Sequence, residues 1–321
     1  MTIRRALEPA EYPFFDYRRF SFALGIAVER RVWLSGSTAV KHEAPSGMVV
    51  KGDLVAQASV IYDKMKATLN AANRSLSDVV RIVRYVTPKA IPDLAPLDAL
   101  QAGLFGDNVS VCTLAIRNLL RPEALIEIEG VAFDGGDDGI DYLPSIVAPD
   151  KTSAWAQAET ALTARGLSRA HVRKATALAT SAVFDATEPA GALPGLRICV
   201  PRLATTETGV QIDIAVAPRA SRVVYVSAEA DPSIDGTVNQ CRELYARLGS
   251  KLAAAGSSAA SVVKTTEFII PTGLRDYRGT ADVRREVFAA PYPAATGVIC
   301  ERLSMPGAMI AVEAIALTEA G

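Results

Sequence analysis

The chain has 321 residues, of which 50% are hydrophobic, and its formal net charge is −1 at pH 7. This length is enough for two or three units of ordinary size, each with its own core. The near-neutral charge and the lack of basic blocks argue against a nucleic-acid partner. No apolar run approaches the roughly 20 residues that are needed to span a membrane.

Cysteine and histidine are too few and too scattered to suggest a metal site or a disulfide framework. The chain has four cysteines and two histidines, with no Cys-x-x-Cys spacing. The first residues also lack the apolar core of a secretory signal. We therefore expect a cytoplasmic protein that binds no metal and needs no cofactor.

The first third of the chain predicts a mixed α and β unit. Residues 1–19 are expected to be irregular and rich in aromatic side chains. Two strands follow at 20–27 and 32–40, and a third short strand lies near residue 48. Asp53 is a predicted N-cap for a helix that reaches about residue 73, because apolar residues then recur at helical spacing. The remaining elements are a strand at 79–87, a turn and a second helix within 88–105, and strands at 109–116 and 125–133.

The last of these strands contains a pattern that recurs twice. Residues 126–129 read Ile-Glu-Ile-Glu, and alternating apolar residues return at 210–217 and 310–316. In each copy an acid follows a leucine by ten residues: Glu129, Asp213 and Glu313. Self-similarity of this kind predicts repeated structural units. Recurrence in one register favours a structural role for the acids, such as pairing around a central axis.

The spacing predicts two complete repeats and a shortened one between them. We expect repeat 1 at 1–135, a degenerate middle repeat at 136–218, and repeat 3 at 219–321. The middle repeat lacks 16 residues where the second helix would lie. The predicted later elements are helices at 155–165, from 240 onward and at 280–288, and strands at 174–183 and 196–200.

Several motifs resemble the YjgF/RidA (Rid) family. They are L-S-G at 34–36, G-D-L-V-A-Q-A at 52–58, and C-T-L-A-I-R-N-L followed by I-E-I-E-G-V-A within 112–132. The resemblance covers about 20–133 and, more weakly, 220–317. It implies an α+β fold like that of chorismate mutase, in which helices cover one face of a β-sheet, and trimers with ligand pockets between subunits. Three copies in one chain then imply a pseudo-trimer, either monomeric or further assembled into a homo-oligomer.

The resemblance also implies a chemistry, with one departure. Active Rid enzymes hydrolyse reactive imines and enamines; an arginine grips the substrate carboxylate, and the first glutamate of I-E-I-E positions water. Glu127 matches this glutamate. The arginine is absent: its position holds Val111 or Cys112 in repeat 1, Gly195 or Leu196 in repeat 2, and Ala295 in repeat 3. We therefore predict a hydrolase or deaminase of a small imine, enamine or related carbonyl compound, acting in a cleft between repeats without nucleic-acid or membrane partners.

Two further residues of repeat 1 are candidates for the site. Cys112 lies near the position of the lost arginine and is a second catalytic candidate, although a small core residue is the plain alternative. Ser35 ends a strand where pockets of the family have their rim, and it is a candidate for binding substrate.

Substrate contacts are also expected from residues outside these strands. Arg284 and Arg285 lie on the second helix of repeat 3, where one of them can replace the lost carboxylate grip; a solvated helix face is the alternative. Tyr17 and Tyr292 are candidates to line a cleft. His42 and Asn108 are expected at the surface.

Two other functions stay open at this point. The stretch V-R-R-E-V-F at 283–288 resembles the C-terminal half of chorismatases, which look like fused Rid trimers and cleave an enolpyruvyl ether. Loss of the arginine from every copy favours instead a protein that binds a small molecule, or a partner, without catalysis.

Overall fold

The computed structural model describes residues 4–106, 109–135 and 139–318. It confirms the predicted α+β class: three mixed β-sheets, one for each repeat, with helices packed against them. Asn108 and residues 136–138, between repeats 1 and 2, lie outside the described residues. We propose that the predicted divisions after residues 135 and 218 are the boundaries of the three units.

Repeat 1 forms a six-stranded sheet in the order β1-β2-β3-β9-β6-β7, in which only β6 and β7 are parallel neighbours. A separate hairpin, β4-β5, lies beside it. The elements are β1 (Arg5–Ala6), β2 (Gly25–Val28), β3 (Arg31–Leu34), β4 (Lys41–Glu43), β5 (Gly47–Val49), α1 (Leu54–Asn70), β6 (Val79–Val86), α2 (Leu94–Phe105), β7 (Ser110–Ala115), β8 (Asn118–Leu119) and β9 (Ile126–Phe133).

The long helix α1 begins where the sequence predicts it. The Asp53 side chain accepts a hydrogen bond from the backbone N–H of Ala56 and so caps the first turn. Ile61 and Leu69 on its apolar face are buried against Ile82 and Ile128 of the sheet. The predicted strands 20–27 and 32–40 are shorter in the structure, because the chain turns toward repeat 3 at both ends of this hairpin.

Repeat 2 keeps the sheet but loses most of one helix. Its elements are β10 (Asp141–Tyr142), β11 (Ile146–Ala148), α3 (Lys151–Ala164), β12 (Val172–Thr180), α4 (Ser181–Phe184), β13 (Arg197–Val200) and β14 (Val210–Val216). Helix α3 starts earlier than predicted, because Asp150 caps its N-terminus. The prediction of a strand to residue 183 is wrong: residues 181–184 form a single helical turn, the remnant of the missing second helix.

Repeat 3 is again complete. Its elements are β15 (Val223–Glu229), α5 (Thr237–Ala254), β16 (Val262–Ile269), α6 (Thr280–Val287), β17 (Ala294–Ile299), β18 (Arg302–Leu303) and β19 (Ile310–Leu317). The sheet order is β15-β19-β16-β17-β8, so its last strand comes from repeat 1.

The repeats are joined by exchange of these short edge strands. Leu119 of β8 pairs with Val298 in the sheet of repeat 3, and Leu303 of β18 pairs with Ile198 in the sheet of repeat 2. Each tip thus completes a neighbour's sheet, which covers an edge that would otherwise present unpaired backbone groups. These donations, from repeat 1 to repeat 3 and from repeat 3 to repeat 2, make two of the three steps of a ring around the repeats.

The recurring acids form a second ring of contacts between repeats. Glu129 pairs with Lys264 of repeat 3 (2.9 Å), and Glu313 pairs with Lys174 of repeat 2 (3.2 Å). Asp213 pairs with the buried Arg81 of repeat 1 and with Lys174 (3.0 Å). The three basic residues occupy equivalent points beside the same bulge in β6, β12 and β16. We call these six residues the central charge ring; it gives the acids the structural role that their recurrence favours.

Candidate functional site

A cavity of about 770 Å³ lies between repeats 1 and 3. Repeat 1 contributes the aromatic N-terminal segment, the end of β3, one face of α1 and the start of β9. Repeat 3 contributes residues of β16 and β17 and the start of its second helical region. We call this cavity the 1–3 cleft. Its volume falls within the range of roughly 300–1,000 Å³ that is typical of sites for small ligands.

Glu127 lies in the 1–3 cleft with its side chain almost fully buried. Burial raises the pKa of its carboxyl group to about 8, and the nearby Glu129 adds to the effect, while Lys264 and a hydrogen bond from the backbone N–H of Gly297 oppose it. An acid with a pKa near neutrality can both donate and accept a proton, which suits it to general acid–base chemistry.

Lys64 is a second titratable group of the cleft, and the sequence analysis missed it. It lies on α1 and is buried, where its ammonium donates to the carbonyls of Thr38 (2.8 Å) and Val40 (2.5 Å). Burial lowers the pKa of Lys64 to about 7, helped by the charge of Lys41 and opposed by Glu127. Its position on the apolar face of the predicted helix was the signal in the sequence for a buried lysine, because a residue on that face is buried when the helix packs on the sheet.

Ser35 and Gly36 lie where the two repeats touch. The Ser35 hydroxyl donates to the carbonyl of Ala23 (2.6 Å) and accepts from the N–H of Ala295 (2.8 Å), so it ties the repeats together. A Cβ atom on Gly36 would lie 2.2 Å from Oε1 of Glu127 and 2.6 Å from Oγ1 of Thr296. Only glycine allows the buried carboxyl to approach this strand end so closely.

Arg284 reaches the cleft from α6, as the sequence suggested, but part of it is already engaged. Its Nη1 donates to both oxygens of Glu267 (3.0 and 2.8 Å). Glu267 also accepts hydrogen bonds from the hydroxyls of Tyr245 and Tyr277, each at 2.6 Å. Nη2 of Arg284 has no hydrogen-bond partner among the described residues and remains available. Arg285 also lines the cleft, but it is exposed and pairs with Asp282 (2.6 Å).

The other candidates lie outside the 1–3 cleft. Cys112 is fully buried between repeats 1 and 2, where it contacts the Ser145 hydroxyl (3.2 Å), and burial raises the pKa of its thiol to about 12. This environment opposes a nucleophilic thiolate. Tyr17 is buried beside Tyr12 in the N-terminal segment (ring centroids 5.3 Å apart), and Tyr292 packs against the core of repeat 3.

Equivalent points in the other repeats lack the acid. The strand register aligns Glu127 with Gln211 and Ala311, opposite Tyr85, Leu178 and Phe268. The amide nitrogen of Gln211 donates to the carbonyl of Thr113 (3.0 Å), so this side chain is used in the contact between repeats 1 and 2.

Comparison with known proteins places the chain in a family. A family profile described as Endoribonuclease L-PSP matches residues 17–134 and 217–318. A RutC family protein of Pyrococcus horikoshii is 33% identical over 88 residues, which cover 27% of this chain and 68% of that protein. A RutC family protein of Pyrococcus abyssi is 28% identical over 112 residues, which cover 35% of this chain and 85% of that protein.

The solved structure of a putative endoribonuclease from Thermotoga maritima is also similar. It is 23% identical, covers 41% of this chain and 98% of its own, and has a TM-score of 0.35. The chain belongs to the Endoribonuclease L-PSP family, also called YjgF/Rid. The predicted family is thereby confirmed, and the two matched segments fit the tandem copies.

Neither a metal site nor a membrane span is found in the part of the chain that the structure describes. No group of three or more His, Cys, Asp or Glu side chains there is arranged to hold a metal ion. Among the same residues, no helix combines the length and apolarity needed to cross a bilayer.

Proposed function

We propose that the protein hydrolyses a carbon–nitrogen double bond in a small molecule bound in the 1–3 cleft. The observation that supports this most directly is the buried Glu127 carboxyl group, which lines a cavity of ligand size. By the sequence resemblance, Glu127 corresponds to the family's water-positioning glutamate. Membership of a family of small-molecule hydrolases, deaminases and binding proteins rests on the similarity to known proteins.

The proposed reaction uses Glu127 as the proton acceptor. Its carboxylate takes a proton from water while the water oxygen bonds to the carbon of the protonated imine, and the C=N π electrons move to nitrogen, which gives a neutral carbinolamine. The carboxyl group then gives its proton to this nitrogen, and as the C–N bond breaks the carboxylate takes the hydroxyl proton. Ammonia and the carbonyl compound leave, and the proton that entered with the imine passes from Glu127 to solvent. Because the carboxylate form is needed first, the rate is expected to rise with pH toward the pKa of Glu127, about 8.

The missing arginine changes how substrate would be held. Ala295 occupies its place in the 1–3 cleft, and its methyl group cannot bind a carboxylate. Nη2 of Arg284 comes from the same repeat and has no partner within the described ranges, so it is the candidate replacement. This deviation also supports the alternative of ligand binding without turnover. The chorismatase-like alternative still rests on the short match at 283–288 alone.

Turnover by Glu127→Gln tests the proposal. The assay follows ammonia released from an imine that an amine oxidase generates in situ, and Glu127→Gln should lower the rate at least 100-fold. Glu123→Gln, which changes an exposed acid in the turn before β9, is the matched control and should keep the wild-type rate. Equal rates in wild type, Glu127→Gln and the uncatalysed reaction would reject hydrolysis by this site.

A further inference from the structure

The 1–3 cleft has an excess of positive charge. Only two acidic side chains are found among the described residues that line it, Glu127 and Glu267. Glu267 is occupied by Arg284 and two tyrosine hydroxyls, and the raised pKa of Glu127 keeps it largely protonated at neutral pH. Against them stand five arginines, Arg19, Arg121, Arg278, Arg284 and Arg285, together with Lys64, which is only partly charged at neutral pH because its pKa is lowered to about 7.

Three of these arginines have no acidic partner. Arg19, Arg121 and Arg278 form no ion pair with any residue of the described ranges. They come from three separate segments: the N-terminal segment, the turn between β8 and β9, and the turn before α6. One such arginine is an ordinary solvated side chain. Three that converge on one cavity from different segments create a field that attracts an anion.

The cleft also has an apolar side, which is formed by four aromatic residues. We call it the aromatic wall: Tyr12, Phe15, Phe20 and Phe22. All four line the cleft. The rings of Phe20 and Phe22 are stacked, with centroids 5.4 Å apart and planes inclined by 20°, and Phe15 meets Phe20 edge-on at 6.0 Å. Tyr12 contacts Phe15 at 5.5 Å. All four side chains are only partly buried, so this wall offers apolar ring surface at the cavity.

The charged and aromatic surfaces meet at two points. The guanidinium of Arg19 lies over the Phe20 ring, 5.2 Å from its centroid, and Nζ of Lys64 lies over the Phe15 ring at 5.0 Å. A flat ligand that packs on the exposed part of the aromatic wall would therefore lie close to Arg19. Arginine beside an aromatic ring is also well suited to bind a planar, delocalised anion, because the guanidinium offers both a face for stacking and a fork of N–H donors.

We propose that the 1–3 cleft binds a planar aromatic anion, whose ring packs on the aromatic wall and whose carboxylate or phosphate is held by Arg19, Arg121 and Arg278. As a statement about the substrate of the enzyme, this inference rests on the proposed function. The binding itself does not depend on turnover by Glu127. Six of the seven residues involved lie in the N-terminal segment and the turn after β8, which explains how this cleft can recognise an anion without the family's arginine.

Calorimetric titration of the full-length protein with four probes tests the proposal. The probes are 2-naphthoate, 2-naphthyl phosphate, cyclohexanecarboxylate and 2-naphthamide; the last two lack the aromatic ring and the charge, respectively. At least one naphthyl anion should bind 10-fold or more tightly than both controls, and the better of the two identifies the preferred anionic group. Equal affinity for all four probes, or tighter binding of either control, would overturn the proposal.

Matched variants locate the contact. Arg278→Gln should weaken binding of the preferred anion about 5–10-fold, whereas Arg275→Gln, an exposed arginine nearby that does not line the cleft, should leave it unchanged. Phe20→Leu should reduce the preference for the aromatic over the alicyclic anion. Identical losses in Arg278→Gln and Arg275→Gln would show attraction by overall charge and would refute the assigned site.

Glu127→Gln separates this inference from the proposed function. It should abolish hydrolysis but keep affinity for the naphthyl anion within about twofold. Tight binding of the anion with no hydrolysis by the wild type would reject the proposed reaction and leave the binding site standing. Hydrolysis of aliphatic imines with no preference for the aromatic probes would reject the aromatic-anion site and leave the proposed reaction standing.

Discussion

Removing one carboxylate from the central charge ring should destabilise the protein strongly. Asp213 and Arg81 expose only 4% and 3% of their side chains, and Asp213 also pairs with Lys174. Asp213→Asn keeps the shape but leaves the buried guanidinium without its counter-charge. Breaking a buried ion pair on one side costs roughly 3–5 kcal/mol.

The expected cost can be expressed as a shift in the melting temperature. At about 2.1 cal/mol/K per residue, the unfolding entropy of this chain is roughly 0.7 kcal/mol/K, so a loss of about 4 kcal/mol lowers Tm by about 6 °C. The assay is calorimetry at pH 7, together with urea unfolding. Asp185→Asn is the matched control, because Asp185 pairs with Arg302 at 3.0 Å on the surface, where 71% and 48% of the side chains are exposed.

The difference in Tm between Asp213→Asn and Asp185→Asn tests whether the central charge ring stabilises the protein. Exposed ion pairs contribute at most about 1 kcal/mol, so Asp185→Asn should shift Tm by less than about 2 °C. The double variant Asp213→Asn/Arg81→Met should recover part of the loss, because it removes the stranded charge as well. If Asp213→Asn costs no more than Asp185→Asn, the ring does not hold the repeats together as we describe.

Three other predictions concern the cleft and its surroundings. Gly36→Ala places a Cβ atom 2.2 Å from Oε1 of Glu127, and it should lower the free energy of unfolding by about 1–3 kcal/mol and remove most of the activity. The control Gly249→Ala lies on a helix with open space around it and should be neutral or slightly stabilising. Urea unfolding measures the stability of both variants, and the ammonia assay measures their activity. The pKa of Lys64 is lowered to about 7 in the folded protein, so between pH 7 and 10.5 only the unfolded chain binds this proton. The free energy of unfolding should therefore rise by up to about 1.4 kcal/mol per pH unit in this range. Urea unfolding at pH 8–10 should show a shallower rise in Lys64→Met than in the exposed control Lys66→Met. With its thiol pKa raised to about 12, Cys112 should resist alkylation at pH 8 until the protein unfolds, and rapid labelling of the native protein in mass spectra would contradict its burial.

The repeats were accessible from the sequence because local patterns define them. The alternation at 126–129 predicts a strand whose isoleucines are buried, and Ile126 and Ile128 are both fully buried. The capping residue Asp53 identifies the start of α1 for a similarly local reason. The shortened spacing of the middle repeat also has a direct counterpart, since α4 is a single turn.

The site was harder to predict, because it depends on contacts between repeats. Nothing local to Lys64 shows that it lies in the same cleft as Glu127, and nothing near Cys112 shows that it lies in a different interface. Arg284 was identified from its helix, but its pairing with Glu267 depends on the packing of α6 against β16. The bases of the central charge ring were missed because they lie beside bulges, where the alternation of strand side chains is interrupted.

The exchange of edge strands determines when the site can exist during synthesis. The partner of β8 is β17, which is separated from it by about 180 residues of chain. While the ribosome is making the middle repeat, the strand end at Gly36 and the face of Glu127 therefore have nothing to pack against. The 1–3 cleft is assembled only when nearly the whole chain has emerged, so a prematurely terminated product would lack the site.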